Sequence, residues 1–214
     1  SIIIMYVLIY IDFGGKMVVI GLSGGSGSGK STVSQLFSGY NILPINTDEI
    51  YHNLTSSLTP CLIELANEFG CDIITDELTL DRARLREIVF LDADKYKVLN
   101  TISHKHVLNS VRKMIASASE LGLFGVIVDA PMLFESGFDK ECNYIISVTA
   151  PIDLRIKRIK ERDGITEEHA LKRIMHQASD DVLIAKSDFI IENKGDIKDV
   201  VSAVSNIVDK IKNN

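Results

Sequence analysis

Apolar and polar positions along the chain switch between a strand period and a helix period. Val18-Val19-Ile20-Gly21-Leu22 is a short β-branched run followed by a Gly/Ser loop. Such a run, bounded by turn residues, reads as a buried strand. Ser31 to Ser38 then reads as a helix, and Ile42 to Ile45 as a second strand. Thr47 is the expected cap of a helix carrying Asp48 and Glu49 in its first turn, where acidic side chains suit the helix dipole. In Pro60 to Phe69, Leu62, Leu65, Ala66 and Phe69 recur at a helical period, and Gly70 would close that helix. Asp81 to Phe90 and Lys95 to Leu121 are further helix candidates.

Strand signals return at Gly125 to Asp129 and Tyr144 to Val148. A polar helix, Pro151 to Asp163, stops at Gly164, and Thr166 caps another with Glu167 and Glu168 in its first turn. Phe189-Ile190-Ile191 is the last strand, and Asp196 to Ile211 a closing amphipathic helix. Short apolar strands separated by helices predict an α/β protein of three α/β/α layers, with a parallel sheet of about five strands. The helical middle looks like an insertion over the C-terminal edge of that sheet. The expected organisation is a core at 17–50 and 122–214, an insertion at 51–121 and an extension at 1–16.

That extension holds ten unbroken apolar residues, Ile2 to Ile11. A bilayer span needs about 20. A secretory signal needs a basic start, and no Lys or Arg precedes Lys16. The segment therefore reads as an extra strand or an upstream extension, with Met17 as the domain's ancestral start. The 214 residues are 46% hydrophobic and 24% charged, which excludes disorder and coiled coil for the whole chain. Three cysteines, Cys61, Cys71 and Cys142, form no CxxC pair. They point away from a disulfide framework or zinc site and towards a reducing, cytoplasmic compartment. A net charge of −6 disfavours a nucleic-acid or membrane-binding surface but leaves room for a local basic pocket.

Candidate chemistry begins at Gly24-Gly25-Ser26-Gly27-Ser28-Gly29-Lys30-Ser31, a full match to G-x-x-x-x-G-K-[ST] after a strand and before a helix. The glycines let successive N–H groups turn inward onto phosphate oxygens, and the helix N-terminus adds positive potential. Lys30 would reach the terminal phosphates, and the Ser31 hydroxyl would ligate Mg²⁺. Asp129 ends a strand, where a carboxylate would support Mg²⁺ through water. Asp48 follows the second strand at the edge where ligands bind, placed to take a proton from an attacking hydroxyl. Arg155, Arg158 and Arg162, at i, i+3 and i+7, form one helical stripe suited to clamp a transferring phosphoryl group, on a lid at about 153–180. His104 is a candidate substrate contact; its i, i+2 spacing from His106 argues against a metal pair.

Two short strings point elsewhere. Asn193-Lys194-Gly195-Asp196 reads N-K-x-D, a guanine-selecting pattern, but the one D-x-x-G string, Asp12-Phe13-Gly14-Gly15, precedes the phosphate loop. A GTP-binding switch is thereby the remote alternative, and another small-metabolite or nucleoside monophosphate kinase the nearer one.

From Val18 to about Val200 the chain resembles the dephospho-coenzyme A kinase family. The resemblance is carried by Ile20 to Ser31, Leu80-Asp81-Arg82-Ala83-Arg84-Leu85-Arg86, Asp129-Ala130-Pro131-Met132-Leu133-Phe134-Glu135, Glu161-Arg162-Asp163, Arg173-Ile174-Met175-His176-Gln177 and Asp188 to Asn193. It implies ATP-dependent phosphorylation of the ribose 3′-hydroxyl of dephospho-coenzyme A, with Mg²⁺ as cofactor. It implies a nucleotide site at Gly27, Ser28, Gly29, Lys30, Ser31, Thr32 and Asn193, an acceptor site at Asp48, Arg82, Arg86, His104, Pro131 and Leu133, and catalysis by Asp48, Lys30, Arg158 and Arg162. Members often carry Asp at the position of Asn46, which leaves Asp48 as the better base here. Under the resemblance the N-K-x-D string is fortuitous. The expected partners are ATP and dephospho-coenzyme A, with no nucleic acid and no membrane, and the expected state is a monomer or weak homo-oligomer.

Overall fold

The computed structural model describes residues 17–213, so the apolar run at 2–11 and the Asp12-Phe13-Gly14 string lie outside the described residues. Five strands form one parallel sheet: β1 (Val18–Ser23), β2 (Ile42–Asn46), β3 (Gly125–Asp129), β4 (Tyr144–Thr149) and β5 (Phe189–Glu192). Their spatial order is β2-β3-β1-β4-β5. The helices are α1 (Lys30–Leu36), α2 (Thr47–Leu54), α3 (Pro60–Phe69), α4 (Arg82–Phe90), α5 (Ala93–Glu120), α6 (Ile152–Asp163), α7 (Glu167–Met175), α8 (Asp180–Ala185) and α9 (Ile197–Lys212).

Both faces of the sheet are apolar because helices cover both. Ile20, Leu22, Ile127, Ile146, Val148 and Ile191 face one way and pack against Val33 and Phe37 beside α1 and Val200, Val204 and Val208 of α9. Val126, Val128 and Ile45 face the other way and meet Val107, Val111 and Ala118 of α5. Residues of opposite parity on one strand thus sit in separate cores, as the two-residue period demands. A third core joins α3, α4 and the first half of α5 through Leu62, Leu65, Leu85, Val89 and Ile102. The 28-residue α5 therefore serves two cores, the helical one with its N-terminal half and the sheet with its C-terminal half.

Local chemistry sets the element ends. Thr59 caps α3 ahead of Pro60, and Gly70 ends it at φ 101°. Asp81, Thr166 and Asp196 cap α4, α7 and α9 with their side chains. The cap of α2 differs from expectation. Asn46 holds it, accepting from the backbone N–H of Asp48 (2.9 Å) and Glu49 (3.2 Å). Thr47 lies one residue too late to cap and instead donates its hydroxyl to the Asp129 carbonyl (3.0 Å). The six-residue α8, absent from the sequence reading, covers β4, where Ser147 and Ser187 share a hydroxyl contact of 2.7 Å.

Candidate active site

Parallel register brings the site together. Leu22 of β1 and Asn46 of β2 both pair with Asp129 of β3, so the C-terminal ends of three strands lie level. The chain leaves β1 as the phosphate loop, leaves β2 into α2 with Asp48 in its first turn, and leaves β3 at Asp129. Residues far apart in sequence thereby border one cavity of about 660 Å³, lined by the loop, Asn46, Asp48, Asp129, Pro131 and Arg158, among others. Ligand sites at this edge are the rule for open α/β sheets, at the point where strand order reverses around the first strand.

The loop curls through left-handed backbone at Gly29 (φ 98°), directly before α1, a conformation that costs glycine nothing. The Lys30 ammonium donates to the Gly24 carbonyl (2.9 Å) and spans the loop's mouth. Asp129 is 6% exposed, and its Oδ1 is buried with no partner among the described residues. Burial pushes its carboxyl above the usual carboxylate range and the Asp48 charge adds to this, while Lys30 and the Ser31 hydroxyl hold it back.

The expected arginine stripe divides into three roles. Arg155 is buried and lies behind the loop rather than in the cavity. Its Nε donates to the Ser26 carbonyl (2.9 Å), and it also reaches Asp180 (3.2 Å) and Gln177 (3.4 Å). Arg158 lines the cavity, yet it donates to the carbonyls of Gly27 (3.0 Å) and Ser28 (3.3 Å) and to Asn193 Oδ1 (3.0 Å). Arg162 also lines the cavity but is largely exposed, held in a two-pronged contact by Asp163 at 2.7 and 2.9 Å. Asp163 also contacts Arg173, and the Arg162 bonds foremost hold its carboxyl down at about 2. Gln177, which sequence reasoning quoted without a role, accepts from the Ser26 N–H (2.8 Å) and donates to its hydroxyl (3.0 Å). Both ends of the α6–α7 segment are thus fastened to the loop at one residue.

Several expected contacts lie elsewhere. Leu133 is fully buried among Val128, Phe138 and Ala130, so it builds the core beneath the site rather than touching an acceptor. Asn193 is buried and spends its amide on the Ser28 carbonyl (2.8 Å) and on Arg158, bracing the loop from outside. Ser28 is also buried, with its hydroxyl unpartnered among the described residues. Arg82 points to α2, 3.0 Å from the Thr55 hydroxyl and over the Tyr51 ring. His104 does not border the cavity; burial lowers its pKa, with Glu135 opposing. Lys30, Ser31, Thr32, Gly27, Gly29, Asp48, Asp129 and Pro131 do border it. In the N-K-x-D string, Lys194 pairs with Glu192 (2.6 Å) and Asp196 caps α9.

The phosphate loop and the strand order place the chain among P-loop phosphotransferases of the small-molecule kinase type. A shikimate kinase from Acinetobacter baumannii shares this fold at a TM-score of 0.53 and 16% identity, covering 92% of this chain and 93% of its own. Closer likeness comes from a Thermus thermophilus structure at a TM-score of 0.76 and 26% identity, covering 92% of this chain and 98% of its own. The family model described as dephospho-CoA kinase matches residues 18–199. A dephospho-CoA kinase of Corynebacterium glutamicum is 33% identical over 195 residues, covering 91% of this chain and 98% of the relative. One from Thermobifida fusca is 35% identical over 196 residues, covering 92% and 97%. The chain belongs to the dephospho-CoA kinase family, whose reaction uses ATP to phosphorylate a hydroxyl acceptor. Among the described residues, no helix is long and apolar enough to cross a membrane.

Proposed function

We propose that this protein moves the γ-phosphoryl group of ATP to the ribose 3′-hydroxyl of dephospho-CoA, giving CoA and ADP, with Asp48 as the proton acceptor. The reaction class follows from the family. The observation that carries the residue assignment is the single cavity bordered by Lys30, Ser31, Asp48 and Asp129. A ribose hydroxyl is a weak nucleophile, so its proton needs an acceptor as the bond to phosphorus forms. Asp48 suits this role. It sits in the exposed first turn of α2, and its backbone N–H is already satisfied by Asn46. Lys30 would leave the Gly24 carbonyl for the phosphates, and the loop amides would hold their oxygens. Arg158 keeps the loop carbonyls turned outward. Arg162 is the arginine free to meet phosphoryl charge once it exchanges Asp163 for the substrate.

The buried, unpartnered Asp129 Oδ1 beside the Ser31 hydroxyl fits a magnesium site. Mg²⁺ usually takes one or two protein ligands and completes its shell with water and phosphate. Asp129 and Ser31 would be its protein ligands, with the phosphates of ATP beside them. Bound there, it would neutralise charge on the phosphates. The net charge of −6 disfavours a nucleic-acid-binding surface, and the free cysteines fit a reducing, cytoplasmic compartment. The test is ADP release with Mg·ATP and each of dephospho-CoA, AMP, CMP and shikimate. Turnover should require dephospho-CoA; preference for any other acceptor overturns the proposal.

A further inference from the structure

Three serines lie in the phosphate loop, and each has different surroundings. Ser31 sits beside Asp129, and Ser28 is buried and does not border the active-site cavity. Ser26, at the apex of the loop, does border it. All three polar groups of Ser26 are engaged from α6 and from the turn after α7. Its carbonyl accepts from Arg155 Nε (2.9 Å), its N–H donates to Gln177 Oε1 (2.8 Å), and its hydroxyl lies 3.0 Å from Gln177 Nε2. Donor and acceptor roles in this cluster are forced. A backbone N–H only donates, so the Gln177 atom facing it is the amide oxygen. Arg155 Nη2, also only a donor, faces that same oxygen at 3.4 Å. Turning the amide over would set its NH₂ group against two donors. The NH₂ group therefore faces the Ser26 hydroxyl, and because it only donates, the hydroxyl accepts. The hydroxyl hydrogen cannot then point at Gln177, and among the described residues no hydrogen bond places it on a protein acceptor.

We propose that Ser26 is a further catalytic residue, its hydroxyl donating to an oxygen of the terminal phosphate of ATP, and that Gln177 is the positioning residue that turns the hydrogen that way. The inference deepens the proposed function and rests on ATP occupying the loop. The Ser26 N–H is already held by Gln177, so the hydroxyl is the group this residue has left for a phosphate. Loop amides next to the helix hold the inner phosphates, and Lys30 reaches towards the outer ones. Ser26 stands four residues before Lys30, at the end of the loop away from α1, so the phosphate it meets is the terminal one. A hydroxyl bond to a phosphate oxygen is charge-assisted, and a donor oriented in advance needs no reordering as charge shifts on the transferring group. Arg155 takes part from behind the loop. It fixes Gln177 Oε1, and Gln177 in turn fixes the hydroxyl.

Ser26→Ala keeps the N–H and carbonyl that Gln177 and Arg155 hold, so it should fold and melt close to wild type. Gln177→Glu keeps an oxygen for the Ser26 N–H and for Arg155 but sets a second acceptor against the hydroxyl, which must then give its hydrogen to the carboxylate. Calorimetric titration of Mg·ATP and Mg·ADP into the wild type, each variant and the double variant, with no acceptor present, reads the bond directly. Ser26→Ala should raise the Kd for ATP about tenfold, the usual worth of a hydrogen bond to a charged group, and leave the Kd for ADP within about twofold. Gln177→Glu should weaken ATP binding several-fold more with Ser26 present than in the Ser26→Ala background, where only the added charge acts. Unchanged ATP binding in Ser26→Ala overturns the proposal. So does an ADP Kd that rises with the ATP Kd, because the loop as a whole has then loosened. An equal effect of Gln177→Glu in both backgrounds also overturns it, because the amide then steers nothing. Failure of the wild type to phosphorylate dephospho-CoA overturns the proposed function instead; the titrations contain no acceptor and are judged apart from it.

Discussion

Arg155 gives the most direct test of how α6 supports the phosphate loop. It is 5% exposed, and its Nε donates 2.9 Å to the Ser26 carbonyl at the loop's apex. Arg155→Met keeps much of the apolar stem and removes the guanidinium. Losing a hydrogen bond from a charged donor costs about 1.5–3 kcal/mol. The 3.2 Å pair with Asp180 adds at most about 1 kcal/mol, because the Asp180 side chain is 32% exposed and screened by solvent. The sum, about 2–4 kcal/mol, should appear as a lower urea midpoint with an unchanged slope. Function should suffer more than stability. An unbraced apex lets the loop amides drift, and a misplacement near 1 Å costs on the order of 10²-fold. The loss should appear in kcat/KM for ATP. Gly25→Ala should act in the same direction, because its Cβ would come 2.0 Å from Arg155 Nη2 and displace the guanidinium. If Arg155→Met melts within about 0.5 kcal/mol of wild type and keeps its ATP kinetics, Arg155 is not the brace described here.

Three further outcomes follow from the site. Asp48→Asn should leave ATP affinity within a few-fold while kcat falls by roughly 10²–10⁴, the worth of general-base catalysis; near-wild-type kcat with dephospho-CoA would remove Asp48 from the chemistry. Asp129 has its folded pKa raised by burial, so the native state holds that proton more tightly than the unfolded chain does. The carboxyl therefore favours folding below its unfolded pKa, and that advantage is lost as pH rises through the folded pKa. Ionised at pH 7 it is a cost, so nucleotide-free Asp129→Asn should melt above wild type there, with the gain shrinking on acidification into the carboxylate range, and should be inactive; an equal or lower Tm at pH 7 would count against the burial argument. Asp196→Ala should lose about 1 kcal/mol in denaturant titration, because its carboxylate accepts from the Lys198 N–H (2.8 Å) at the start of α9, and its preference for ATP over GTP should not change.

The sequence by itself determined the order of the strands and of every helix but α8, because each depends on neighbours within a few residues. Gly24 to Ser31 reads as a phosphate loop wherever the chain runs, since its glycines and its place between a strand and a helix are local facts. Thr59-Pro60 and Gly70 bound α3 for the same reason. The N-K-x-D string shows the limit of local reading, because only the fold reveals that Asn193 braces Ser28 and that Asp196 caps a helix. The stripe at Arg155, Arg158 and Arg162 shows it again. Helical spacing puts the three on one face, but the distance of each turn from the loop decides which is buried, which lines the cavity and which reaches solvent. Leu133 resembles its family's motif residue for residue, yet its burial depends on Phe138 and Val128 closing over it. The cap at Asn46 in place of Thr47 turned on a single residue of strand length. Asp129 aligns with Asn46 and Leu22 only through parallel register. That register is set by packing both sheet faces at once, a constraint no single segment of the chain contains.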